Sequence, residues 1–189
     1  MPHRDLHRRS IRLQGCDYSQ AGAYFVTISI QGRACLFGDI ENGEMVLNEY
    51  GCAVRDEWLK TAEIRAEIQT GEFVVMPNHI HGILVIGMGT AVMGSGTARR
   101  ARTEYTARRA PTTERFGQPI AGSLPTIVRA FKSAATKRIN EIRQSPGVPV
   151  WQRNYYEHVI RNDTDYRQIA EYISDNPRLW EEDTLHPDV

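Results

Sequence analysis

Apolar and polar positions alternate from Ala23 to Ile30, AYFVTISI, and the β-branched and aromatic content of this run predicts a strand, central in its sheet. A turn at Gln31-Gly32 leads to a short ACLFG strand, and Glu41-Asn42-Gly43-Glu44 predicts a hairpin turn into MVL, so the chain opens with a small antiparallel meander. Asn48 is placed to cap a helix from Glu49 to Ile68, in which Val54, Trp58, Ala62 and Arg65 recur at helical spacing. Two further strands, Glu72 to Met76 and Ile80 to Ile86, are separated by Pro77-Asn78, a pair suited to a tight turn between antiparallel neighbours.

From Gly87 to about Gly122 the pattern stops. Glycine, alanine, threonine and arginine dominate with little apolar periodicity, which predicts a flexible insertion unable to bury a core of its own. Helical periodicity returns from Ser123 to Ile142 through Leu124, Ile127, Val128, Phe131, Ala135 and Ile139. After the Pro146-Gly147-Val148-Pro149 break comes VWQRNYYEHVI, and Asp163-Thr164 is placed to cap a last helix from Asp165 to Asn176, stopped by Pro177. The order β, β, β, α, β, β, insertion, α, α predicts a single α+β domain over 1–189. Its expected form is an antiparallel sheet with helices packed on one face, ferredoxin-like or similar to an RNA-recognition fold.

Composition agrees with a globular domain: 41% hydrophobic, 24% charged and 8% aromatic residues. No apolar run approaches the roughly 18 to 20 residues of a membrane helix, and the opening MPHRDLHRRS is too polar for a secretory signal, so a cytoplasmic protein is expected. Cys16, Cys35 and Cys52 form no CxxC pair and read as reduced thiols. Basic and acidic residues balance at 23 each, but their distribution does not. Arg99, Arg100, Arg102, Arg108, Arg109 and Arg115 crowd the insertion, while acids crowd 171–189, leaving a basic middle and an acidic tail.

Candidate chemistry concentrates in two places. His79 and His81 start a predicted strand, and alternation puts both side chains on one face, where they can chelate one ion or stand as two incidental histidines. In the last helix Tyr166, Ile169, Ala170 and Ile173 make the apolar stripe, whereas Tyr172 and Asn176, one turn apart, stack on its flank. They are either a phenol and an amide aimed at one spot, or a rim tyrosine and a helix-ending asparagine. Two imidazoles with an amide oxygen, and no thiolate, would suit Mg²⁺ or Mn²⁺ better than structural Zn²⁺. Of the other tyrosines, Tyr166 belongs to the apolar stripe, and alternation in RNYYEHVIR buries one of Tyr155 and Tyr156 and presents the other for packing or base stacking.

The segments PNHIHGILVI, SLPTIVRAFKSAATKRIN, VWQRNYYEHVIRN and EYISDNP, in this order, resemble the REP-associated tyrosine transposases, relatives of small single-tyrosine HUH transposases, over almost the whole chain. The resemblance implies an HUH endonuclease fold, a nucleophilic role for Tyr172 and an ion held by His79, His81 and Asn176. The implied activity is metal-dependent nicking and rejoining of single-stranded or hairpin DNA, through a 5′-phosphotyrosine, by a monomer or a homodimer associated with the nucleoid. The opening SIRLQGCDYSQAGAYFVTI also resembles the family and implies DNA contacts near Arg9 and Arg12. Arg129, Lys132 and Lys137 on the 123–142 helix, with Arg153 and Arg161 around the YY pair, complete the expected phosphate contacts. Two other readings compete: a non-catalytic nucleic-acid module stacking bases on Tyr24 and Phe25, and a phosphodiesterase in which water attacks.

Overall fold

The computed structural model describes residues 20–87 and 120–187, so Arg9, Arg12 and nearly all of the 87–122 insertion lie outside the described residues. Its strands are β1 (Gly22–Ser29), β2 (Gly38–Glu41), β3 (Glu44–Leu47), β4 (Ile68–Val75), β5 (His79–Ile86) and β6 (Tyr156–Ile160). The helices are α1 (Glu49–Glu63), α2 (Leu124–Ile142) and α3 (Asp163–Asp175), and a 3₁₀ segment, Asn176–Glu182, follows α3 directly. Four strands make an antiparallel sheet in the order β4-β5-β1-β6, with β1 interior as its alternation predicts.

The α+β class stands as expected, but the helices do not share one face. Alternate residues of β1 divide between two cores. Tyr24, Val26 and Ile28 join α1 and α2 residues such as Trp58 and Phe131 on one side, while Phe25 joins Ile83 and α3 residues Ile169, Ala170 and Ile173 on the other. Both faces of the sheet are therefore covered, which accounts for the nearly unbroken apolar run HIHGILVI in β5.

Three boundaries differ from the sequence pattern for identifiable reasons. The first helix ends at Glu63; Ile68, read as a helical position, starts β4 and is 2% exposed in the main core. β4 was hidden because a bulge between Thr70 and Phe73 interrupts its alternation, and Gly71 within it passes under the Tyr166 hydroxyl, where a Cβ would come within 2.7 Å. The ACLFG segment is not a strand up to Phe37. Its pairing starts at Gly38, and the β2–β3 hairpin, turned by Asn42 and Gly43 at φ 53° and 77°, forms a sheet separate from β1. α3 is capped one residue earlier than expected, by Asn162 Oδ1 accepting from the Asp165 N–H at 2.9 Å.

Candidate active site

β5 lies between β4 and β1, so its backbone is paired on both edges and its side chains stand in fixed alternation. His79 and His81 point to the α3 face and are 0% and 3% exposed. Each ring is oriented through its Nδ1. Asn78 donates its amide to the carbonyls of Arg33 and Leu185, at 3.2 and 2.7 Å, leaving its Oδ1 to accept from His79 Nδ1 at 2.8 Å. Thr27, paired in register with His81, brings its hydroxyl 2.8 Å from His81 Nδ1. With both Nδ1 atoms protonated toward these oxygens, the two Nε2 lone pairs converge 2.9 Å apart. Such a pair repels unless a proton or a cation lies between.

Two oxygens complete the convergence. Asn176, 2% exposed where α3 passes into the 3₁₀ segment, has an Oδ1 that is buried without a hydrogen-bond partner. Asp183, just beyond that segment, accepts the Leu185 N–H on Oδ1 at 2.7 Å, while Oδ2 is buried, unpartnered and 3.7 Å from His79 Nε2. The ligand atoms of His79, His81 and Asp183 all lie within 4.8 Å of one another. Unpartnered buried oxygens are costly, and a cation held beside them would satisfy both. The donor set of two nitrogens and two oxygens fits a divalent ion.

Tyr172, 44% exposed, brings its hydroxyl 3.3 Å from His81 Nε2, and its ring meets Phe25 and His81 edge-on at 6.1 and 5.2 Å. Burial pushes the His79 imidazole down to about 3; Asn176 beside it pulls the other way. Burial also takes His81 to about 3, aided by His79 and opposed by the Asp183 charge. Both rings are therefore neutral near pH 7, the form that ligates metal. The Tyr172 phenol is held above its ordinary value by burial first and by the Asp183 carboxylate second, with Asn176 acting in the opposite sense.

The structure thus brings together Tyr172, His79, His81 and Asn176, and separates them from most of the expected phosphate contacts. Arg129 and Lys137 are exposed on α2, which packs on the opposite face of the sheet. Lys132 donates to the carbonyls of Gln152, Arg153 and Asn154, at 2.6, 3.3 and 3.3 Å, which makes it a staple for the loop before β6. Arg153 and Arg161 are exposed beside the two ends of β6. Asp165 accepts the Arg161 backbone N–H at 3.1 Å and meets His158 at 3.1 Å. Sequence reasoning missed Asp183, Asn78 and Thr27. Asp183 shares no helical or strand spacing with the other groups, and the acidic tail was the only signal of it.

No family model matches the sequence. An uncharacterized protein of Haemophilus influenzae is 40% identical over 182 residues, covering 96% of this chain and 94% of its own length. A second H. influenzae protein, named for the REP-associated tyrosine transposases, is 25% identical over 182 residues, or 92% of this chain and 85% of its own. Among solved structures, a REP-associated tyrosine transposase bound to a REP hairpin superposes with a TM-score of 0.50 at 19% identity, over 85% of this chain and 68% of that one. The antiparallel sheet and three helices of this chain match the fold of that transposase. In sequence the chain is similar, at 25% identity, to a relative named for the REP-associated tyrosine transposases, and it shares its fold with a solved one.

Proposed function

We propose that this chain nicks and rejoins single-stranded or hairpin DNA, with Tyr172 as nucleophile and His79, His81, Asn176 and Asp183 holding Mg²⁺ or Mn²⁺. The observation that carries this reading is the Tyr172 hydroxyl 3.3 Å from His81 Nε2, beside two buried oxygens without partners. Hairpin DNA as substrate is supported by the solved relative, which is bound to a REP hairpin.

In the forward step Tyr172 Oη bonds to phosphorus and the P–O3′ bond breaks, giving a 5′-phosphotyrosyl strand and a 3′-hydroxyl; the half-exposed phenol gives its proton to solvent and the 3′ oxygen gains one. The divalent ion, when bound, offsets the charge developing on the phosphate and leaving oxygen and opposes the Asp183 field that disfavours a phenolate. Phe25 packs edge-on against Tyr172 and fixes the ring over His81. Because the adduct keeps the phosphodiester energy, a 3′-hydroxyl can reverse the step without a nucleotide cofactor.

The stacking-module alternative loses support, since Tyr24 and Phe25 are 3% and 8% exposed and offer no free ring face. The test is a denaturing gel with 3′-labelled oligonucleotide. The wild-type protein with Mn²⁺ is expected to shift the label into a protein-sized band, and Tyr172→Phe to lose that band at least 100-fold while binding the same DNA nearly as well, since it deletes one oxygen and keeps the ring. Cleavage without a covalent band would identify water as the attacking group, and a band persisting in Tyr172→Phe would transfer the role to another tyrosine.

A further inference from the structure

The structure resolves which member of the Tyr155-Tyr156 pair is presented. Tyr155 packs against the main core on the α1–α2 side, whereas Tyr156 is 59% exposed and points to the active-site face. Its placement there follows from register. Tyr156 is paired with Thr27 on β1, and Thr27 with His81 on β5, so the three side chains form one row across the sheet. Phe25 links Tyr156 to the site a second way: its ring stands edge-on to Tyr156 at 6.2 Å and to Tyr172 at 6.1 Å, wedged between the two exposed tyrosines. Among the described residues β6 is the last strand of the sheet, and none of their strands covers the outer side of the Tyr156 ring.

An aromatic ring at this exposure contributes little to the core, and a ring propped from below by Phe25 keeps its orientation without being buried. Arg153 and Arg161, both exposed, bracket it at either end of β6. An exposed aromatic on a strand with exposed arginines before and after it, beside the proposed phosphate-cleaving centre, is a combination suited to an unpaired nucleotide: the ring can stack on the base and the guanidinium groups can reach the flanking phosphates.

We infer that Tyr156 is a stacking platform for one unpaired base flanking the scissile phosphate, setting where a single strand enters the site. This rests on the DNA-cleaving reading above. It goes beyond it by assigning a subsite for a nucleobase, with Tyr156 as a positioning residue and Arg153 and Arg161 as its phosphate clamps.

The experiment uses the full chain and hairpin oligonucleotides with a single-stranded flank, each carrying 2-aminopurine at one flank position. One position is expected to show fluorescence quenching with wild type and with Tyr156→Phe, and not with Tyr156→Ala. Tyr156→Ala should bind about ten-fold more weakly, and an abasic nucleotide at that position should make wild type and Tyr156→Ala bind equally. Unchanged circular dichroism and melting midpoint in Tyr156→Ala show that the fold is kept. Equal affinity of wild type and Tyr156→Ala for the intact oligonucleotide, or a ten-fold difference that survives at every abasic position, overturns the assignment. The two readings fail separately: loss of the covalent band with position-specific quenching intact would sink the chemistry and leave the stacking site, and the reverse pattern would sink the stacking site alone.

Discussion

Asp183 is a carboxylate with one oxygen committed to its own turn and the other aimed at two imidazoles, and that division defines its role. Asp183→Ala is expected to abolish tight Mn²⁺ binding, and Asn78→Ala to weaken it by about 10- to 100-fold without removing a ligand, because His79 loses the partner that fixes its tautomer. Trp180, 6.0 Å from the His79 ring, makes a fluorescence titration the natural measurement. Equal Mn²⁺ affinity in wild type and Asp183→Ala would remove the carboxylate from the site. The same histidines set an acid limb. Both are held near 3 when folded, against 6.5 when unfolded, so the unfolded chain binds more protons below pH 6.5. The stability they contribute is fully present above pH 6.5 and is lost as pH falls toward 3. Metal-free protein should therefore melt at a constant temperature above about pH 7 and progressively lower below 6.5, and His81→Asn should flatten that dependence. The histidine pair was legible because strand alternation is a strictly local rule. Asp183 was not, because Pro177 and a 3₁₀ segment separate it from Asn176 and carry no period from which a shared direction could be read.

At the scale of elements, the site exists because β5 presents different chemistry on its two faces. Gly82, between His81 and the α3-facing Ile83, lies on the α1–α2 side, where the Trp58 ring rests directly on its backbone. A Cβ at Gly82 would overlap that ring, and Trp58 is fully buried against Phe73 and Phe131 with no room to retreat. Gly82→Ala is expected to cost about 1 to 3 kcal/mol of stability, measured by urea unfolding, and to reduce Mn²⁺ affinity through displacement of β5. Unfolding at the wild-type urea midpoint would show that α1 can shift away. Helix stripes and the central strand followed from periodicity because each buries one continuous apolar surface. The distribution of helices over both faces did not follow, since the pattern of α3 states that it has an apolar side and not which side of the sheet receives it. The β4 bulge hid half a strand for a related reason: one extra residue reverses the alternation on which recognition depends.

For the whole molecule, Glu67 defines where the 87–122 segment departs and returns. Its carbonyl accepts the Gly87 N–H at 2.8 Å, and a Cβ at Gly122 would lie 4.0 Å from its Oε1, so the two ends of the segment meet at one residue. Deleting 90–118 with a short glycine linker should therefore leave the melting midpoint and short-oligonucleotide cleavage unchanged. If the six arginines engage DNA phosphates, the slope of log affinity against log salt on long DNA should fall by a few units, at roughly 0.7 to 0.9 per lost contact. An unchanged slope would make the segment a passive connection.

The sheet order gives the molecule a timetable as well as a shape. β1 is made early but pairs on one side with β6, and Tyr172 lies 91 residues after His81. During synthesis, at about 5 to 20 residues per second, a nascent chain holds the histidine pair for several seconds before Tyr172 is added. Until β6 arrives, the outer edge of β1 stays open and the α3 face is uncovered. If Tyr172 is the nucleophile proposed above, a ribosome that stops before it releases a sheet with no means of cutting DNA, so incomplete copies would be chemically silent until the final helix closes over the histidines.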